Sequence, residues 1–563
     1  MPRRLSRDPW PAIALIVVAV VLALMSRSWQ TESDRNTANV EPSRTAASTS
    51  PSTSISTPTP RADTLVEGIA GRPLYLNPLL AQFSPADRDL TTLLFSGLTK
   101  PGEHGEILPD LAERWEVSGD GKEYTFFLRQ QVRWHDGTLF TADDVSATIK
   151  LLQDPAFPGV PALAAFWRKV AVVPVDASTV RFVLPEPYAP FPQAASIGIL
   201  QGRTWAAVQG KSLADSGLND SPLGTGPYKL KDVGEDQLIL EANADYYGQR
   251  PKIGEITVRF YPDTQSLAAA LRRGEVMAAA RLQPEDLATL KGSPEVAQYR
   301  GPLASYLLIF VNTRLPYFQD RGTRQALLYA LDRQGIVDRI AGGAGTVLDS
   351  PILPYSWAYD GQVKQYGRDP EQAKSLLDKA GWKPGSDGVR ARDEVKLQFT
   401  LLTNDDPLRV KLAEEISRQW ATVGVKADVQ AVGITGLMRD YLQPRRFDAV
   451  LFGWSNLGSD PDPYELWHSS QASADGGNYA SVVNPSMDEL LEDARHTSDR
   501  SERVRLYARF QELFAEQVPA LLLYEPWYTY AVRSEVGGIR PVALADPSDR
   551  FRYVSEWTVV SGR

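Results

Sequence analysis

The 563-residue chain contains no cysteine. That absence excludes disulfides, thiolate metal sites, cysteine nucleophiles and lipid attachment through an N-terminal cysteine. Histidine is scarce: the four are His104, His135, His468 and His496, and none pair at metal-ligand spacing. A zinc enzyme is therefore not expected. Basic excess is also missing. The net charge of −9 argues against nucleic acid as a partner. No G-x-S-x-G elbow occurs, and "GTGPY" lacks the Lys-Ser/Thr that completes a phosphate-binding loop.

What is present begins with Arg3, Arg4 and Arg7 ahead of an apolar run from Trp10 to Met25. A positive flank before an apolar run reads as an export signal, with the charges on the cytoplasmic side. The run is short against the roughly 20 residues of a spanning helix. Ser26 and Ser28 offer a cleavage site, but Arg27 interrupts it. The reading is an uncleaved anchor over residues 1–30, holding the body outside the membrane, with a secreted body as the alternative if the signal is cut. Residues 31–63 include "SRTAASTSPSTSISTPTPR", too poor in apolar side chains to fold, and are expected to be a disordered spacer.

From Thr64 the pattern is globular. "TLVEGIAG" reads as a strand, and "EYTFFLRQQVRWHDG" alternates as strands do before an Asp136-Gly137 turn. Thr141 and Asp144 make a capping box at the start of a helix. Further on, "TRQALLYALDRQGIVDRIAGG" is expected to be one helix. "DPEQAKSLLDKAG" is another, with Asp369 as cap and Gly381 as stop. Then "VKLQFTL" alternates, "LRVKLAEEISRQWATVG" places Leu412, Ile416 and Trp420 four apart, "VKADVQAV" alternates again, and "FDAVLFGW" is almost continuously apolar. Strand, helix, strand and doubly buried strand make an α/β lobe.

In such sheets ligands bind beyond the carboxyl ends of strands. Two loops qualify, Thr403 to Leu408 and Ser455 to Tyr464. If their strands run parallel, both open on one edge. Asn404 and Asp405 in the first loop, which feeds a helix N-terminus, are candidate ligand contacts. Asp460 and Asp462 could suggest calcium, but two carboxylates split by a proline fall short of the required six to eight oxygens. A turn-forming role is the plainer reading. "WHDG" is read as a hairpin turn and not as a catalytic pair.

Eight segments occur in one order: "LNPLL", "LLFSGL", "LPDLAERWEVSGDGKEYTFFLRQQVRWHDGTLFTADDV", "GTGPYKL", "NADYYGQRPKI", "RQALLYALDR", "DPEQAKSLLDKAGW" and "GWSNLGSDPD". Together they resemble the extracellular solute-binding proteins of the peptide/nickel/opine class (family 5), which deliver ligands to ABC importers. The resemblance implies a two-lobed α/β fold of the type II periplasmic-binding-protein kind. In this large cluster the lobes carry an extra inserted subdomain and are joined by two crossing strands. Lobe I would comprise 64–305 plus 531–563, with the insertion at about 111–200, and lobe II 306–530. Candidate crossings are "ASYLLIFVN" and "ALLLYEPW".

The resemblance further implies a monomer without enzymatic activity or cofactor. Its partners would be a small-molecule or peptide ligand, the permease subunits and, through the N-terminal segment, the membrane. The cleft would be lined by Gly453, Trp454, Ser455, Asn456 and Leu457, by Phe83 and Ser84 in "LAQFSPAD", and by Tyr479 in "GGNYAS", which either closes over the ligand or packs.

One position departs from the pattern. Dipeptide-binding members carry an aspartate three residues after the tryptophan, to meet the peptide ammonium, and an arginine in the preceding loop for the carboxylate. Here the first is Leu457, and "TNDDPL" has no arginine, Arg409 lying already in the helix. The expected ligand is therefore not a free dipeptide. It is a blocked or longer peptide, an opine-like or sugar-like solute, or a cation using Asp405 or Asp406. A sensor without a transporter and an extracellular hydrolase are the competing readings.

Overall fold

The computed structural model describes residues 63–208, 212–473 and 476–560. The apolar run at Trp10–Met25 and the spacer up to residue 62 lie outside them, as do the expectations placed on those segments. Among the described residues, no helix is long and apolar enough to cross a membrane.

The described chain opens with β1 (Thr64–Ala70) and α1 (Pro85–Leu94). Strands β2 (Ala112–Val117), β3 (Glu123–Leu128), β4 (Ala171–Asp176) and β5 (Thr179–Val183) form a separate antiparallel sheet in the order β2-β3-β5-β4. Helix α2 (Ala142–Gln153) lies between β3 and β4, and the Thr141 amide donates to the Asp144 carboxylate at 2.9 Å. The chain then builds β6 (Tyr228–Val233), β7 (Gln237–Ala242), β8 (Glu255–Tyr261), β9 (Ala278–Ala280) and β10 (Val296–Pro302).

After β11 (Ser305–Val311) come α3 (Arg321–Tyr329), α4 (Arg333–Arg339), β12 (Gly345–Val347) and α5 (Pro370–Lys379). The α/β unit follows: β13 (Gln398–Asn404), α6 (Pro407–Ala421), β14 (Lys426–Val432) and β15 (Ala449–Ser455). Helices α7 (Pro485–His496) and α8 (Arg500–Gln517) lead to the long β16 (Ala520–Arg533).

The large sheet has twelve strands. Its path is β14-β13-β15-β11-β16-β9-β1-β8-β7-β6, with β10 and β12 also on β16. β13 pairs in parallel with both β14 and β15, so their carboxyl ends share one edge. β16 serves two halves. Ala520, Leu521, Leu522 and Tyr524 pair with β11, while Trp527 to Arg533 pair with β10. The chain passes between the halves a second time at Leu303-Ala304, between β10 and β11.

The apolar run of β15 follows from this placement. Ala449 and Leu451 pack on one face with Leu327, Ile416 and Trp420, while Val450, Phe452 and Trp454 pack on the other with Phe510 and Phe514. A strand covered on both faces needs apolar residues at consecutive positions. Each large side chain buried there contributes roughly 1.5–3 kcal/mol.

The single helix expected across "TRQALLYALDRQGIVDRIAGG" is two. α3 stops at Tyr329, and Asp332 caps α4 by accepting from the Gly335 amide at 3.0 Å. An aspartate in a helical run stabilises a new N-terminus more than it does a continuing turn.

The two turn motifs dock on each other. The Gly224 amide donates to His135 Nδ1 at 3.2 Å, and His135 Nε2 lies 3.3 Å from the Gly226 carbonyl. That pairing fits the neutral tautomer with its proton on Nε2. Burial pushes the His135 pKa down to about 4. The glycines of "GTGPY" press on the end of α1, where a Cβ at Gly224 would stand 1.8 Å from the Leu94 carbonyl oxygen.

Candidate functional site

A chamber of about 720 Å³ lies between the two halves, within the range of small-ligand sites. One wall carries Gln82, Thr91, Phe95, Lys100, Tyr188 and Gln193; the other carries Tyr306, Leu353, Tyr355, Trp454, Leu457 and Asp462.

Alternation along β15 decides which residues reach it. Trp454 lines the chamber at 1% exposure and stacks on Tyr479, with ring centroids 5.4 Å apart and planes 14° apart. Its Nε1 is buried without a hydrogen-bond partner among the described residues. Gly453 faces the other way, and an added Cβ there would lie 3.0 Å from the Arg409 guanidinium on α6. Ser455, Asn456 and Leu457 also line the chamber. Asn456 takes a positive φ of 55°, a conformation asparagine tolerates. The Leu457 amide donates to the Ala304 carbonyl at 3.1 Å, tying the loop to the crossing between β10 and β11.

The other expected residues lie outside the lining. Tyr479 is buried behind Trp454, within the same core cluster. Phe83 packs against the first half's core, and Ser84 caps α1 by accepting from the Asp87 amide. Asn404 ends β13 and Asp405 is exposed. Neither joins the Trp454 loop at the chamber, because α6 and its leading loop cover the opposite face of the sheet. Asp406 is the N-cap of α6.

The acidic loop after Trp454 is fastened from two sides. Arg495 of α7 pairs with Asp462 at 2.6 Å and Glu465 at 3.1 Å, and Arg503 of α8 donates to Asp460 at 2.8 Å. Both aspartates thus neutralise arginines that are themselves buried. From the opposite wall, Gln193 Oε1 accepts from the Ser459 and Asp460 amides, each at 2.6 Å. The Ala189 amide donates to the Arg495 carbonyl at 2.8 Å, and the Trp357 amide to the His104 carbonyl at 3.1 Å. The Gln193, Ala189 and Trp357 bonds join the two halves beside the chamber, so the halves are closed on it.

The remaining wall charges are also partnered: Arg88 with Asp546 at 2.9 Å, Lys100 with Asp110 at 3.3 Å, and Arg552 with Asp549 at 3.6 Å. Burial raises the carboxyls of Asp110 and Asp549 above the usual range. No group of three or more metal-ligating side chains occurs among the described residues. Gln193, Arg495 and Tyr355 were not among the residues expected from the sequence.

Residues 106–476 match the family model for bacterial extracellular solute-binding proteins, family 5, middle region. The chain is 31% identical over 523 residues to a dipeptide-binding protein of Escherichia coli, covering 88% of this chain and 94% of that one. It resembles the crystal structure of NikZ from Campylobacter jejuni in complex with Ni(L-His), with TM-score 0.70, 30% identity, and 88% and 100% of the two chains covered. It also resembles the oligopeptide-binding protein AppA of Bacillus subtilis in complex with a nonapeptide, with TM-score 0.67, 29% identity, and 88% and 99% covered.

Proposed function

The chain belongs to family 5 of the bacterial extracellular solute-binding proteins, the substrate-binding components of ABC importers, and we propose that it encloses a peptide-like or other small solute between its halves and presents it to a permease. The observation that carries this is the bridged chamber, closed by hydrogen bonds from both walls around space for a ligand. Closure of this kind needs hinges, and the two strand crossings are the natural ones. On this reading lobe I is 64–305 plus 531–563, with the four-stranded sheet as its inserted subdomain, and lobe II is 306–530. The N-terminal apolar segment anchors the body on the outer side of the membrane, and the protein acts as a monomer without chemistry of its own.

Leu457 shapes the ligand. It offers no charge where a peptide ammonium would be met, and the nearby Asp460 and Asp462 are already held by arginines. A free dipeptide therefore finds no clamp in this loop. A ligand anchored along its length by aromatic and backbone contacts suits it better.

The test is to purify the full-length chain from its native membranes and release bound solutes by mild denaturation for mass spectrometry. A solute recovered in near-stoichiometric amount supports the reading. Recovery of none, together with no response to a panel of peptides and small solutes, overturns it.

A further inference from the structure

One carboxylate beside the chamber stands apart from the rest. Glu525 lies on β16 where that strand leaves β11 for β10, at the crossing between the halves. It is 1% exposed, and its Oε1 has no hydrogen-bond partner among the described residues.

Its direction follows from alternation. Leu307 and Tyr524 pair across β11 and β16 and pack together in the core on the α6 face. Their neighbours Tyr306 and Glu525 therefore turn to the opposite face. Tyr306 pairs with Trp454 on β15, and both line the chamber. Glu525 thus continues the row Trp454–Tyr306 behind the wall. Tyr355, a wall residue, feels its charge more strongly than any other.

The groups around Glu525 supply no cation. Tyr306 precedes Leu307 on β11, Thr346 is the pair of Glu525 on β12, and Tyr355 lies close enough to sense its charge; Asp549 and Arg552, which also act on Tyr355, are partnered with each other. Burial alone acts on its carboxyl, pushing the pKa up to about 8.

We propose that Glu525 is a recessed anchor for a cationic side chain of the ligand, an ammonium or guanidinium at the end of a slim chain that slips past Tyr355. This rests on the chamber being the ligand site. It deepens that reading by naming the charge the ligand carries and where it is met. A lysine-like or arginine-like side chain combines a narrow apolar stem with a charged end, the shape that a recessed carboxylate calls for. A buried carboxylate without a partner is costly when ionised and becomes favourable when a cation is brought to it. On binding, the protonated carboxyl gives up its proton to solvent and the resulting carboxylate pairs with the incoming cation. No other bond is made or broken.

The experiment uses the full-length chain and two blocked tripeptides, acetyl-Ala-Arg-Ala-amide and the same peptide with citrulline, a neutral isostere of arginine. The guanidinium stays charged throughout, so any pH dependence belongs to the protein. The arginine probe should bind at least about ten-fold tighter than the citrulline probe. The gap should widen from about pH 6.5 to about pH 9, and calorimetry in buffers of different ionisation enthalpy should show proton release. Glu525→Gln, which keeps the shape and loses the charge, should close the gap and abolish the release. Tyr355→Ala should speed association of the arginine probe alone.

Equal binding of the two probes overturns the anchor and leaves the receptor reading standing, as does a gap that survives Glu525→Gln. Binding of neither probe also overturns it, and the receptor reading is then judged by the co-purified solute. If Glu525→Gln does not fold, proton release and the pH dependence of the natural chain decide alone.

Discussion

Gln193 and Asp460 stand on opposite walls of the chamber and are joined by one hydrogen bond, from the Asp460 amide to Gln193 Oε1 at 2.6 Å. The same oxygen holds the Ser459 amide, so one side chain latches the loop that follows Trp454. Gln193→Ala removes both bonds, each contributing about 0.5–1.5 kcal/mol. The open form should gain population. Ligand affinity should fall about 5- to 100-fold with little change in melting temperature. Solution scattering should show a larger radius without ligand, and an unchanged radius and affinity would contradict the latch.

Trp454 should matter for both packing and binding. Trp454→Ala removes a buried ring stacked on Tyr479, at a cost of about 3–5 kcal/mol in stability. Trp454→Phe keeps most of the packing and deletes the unpartnered Nε1. Its melting temperature should stay near that of the natural chain while affinity for the co-purified solute drops. Equal affinity would mean the indole nitrogen meets no ligand.

The pairs that fasten the acidic loop should be asymmetric in their effects. Arg503→Ala strands Asp460 as a buried charge and should cost about 3–5 kcal/mol. Replacing both partners by neutral groups, Arg503→Met with Asp460→Asn, should recover much of that loss. Chemical denaturation of the two variants measures it, and a double variant as unstable as Arg503→Ala would contradict the pairing.

Acidification should weaken the fold through His135. Its folded pKa of about 4 lies below the ordinary value, so the unfolded chain takes up a proton first as pH falls. Stability present above about pH 6.5 is lost progressively down to about pH 4, by at most about 3 kcal/mol. His135→Gln should flatten that part of the melting-temperature profile.

Glu525 should act in the opposite sense. Its folded pKa of about 8 exceeds the unfolded value, so the folded chain holds the extra proton between the two. Stability falls as pH rises through that window, by at most about 5 kcal/mol. Glu525→Gln should melt higher than the natural chain near pH 9 and similarly near pH 5.

The α/β unit was readable because its signals are local. Leu412, Ile416 and Trp420 recur at helical spacing, and all are buried on α6. The apolar run ending at Gly453-Trp454 declares a strand covered on both faces. Sequence puts the loops after β13 and β15 on one edge only if their strands run parallel, and they do. It does not say that Asn404 and Asp405 belong to the other face of that edge, because α6 turns back over it. The latch was not readable, since Gln193 and Asp460 are 267 positions apart and glutamine has no pattern of its own. Glu525 left a trace: it is the lone acid in "ALLLYEPW", a run otherwise fit for burial.

β16 has a consequence for the order in which the molecule can be made. Its first residues complete the sheet beside β11, and its last complete the sheet beside β9 and β10. Neither half has its full set of strands until the far end of the chain is available. A chain built from its amino end therefore completes neither half early, and both halves lock almost together once β16 is available.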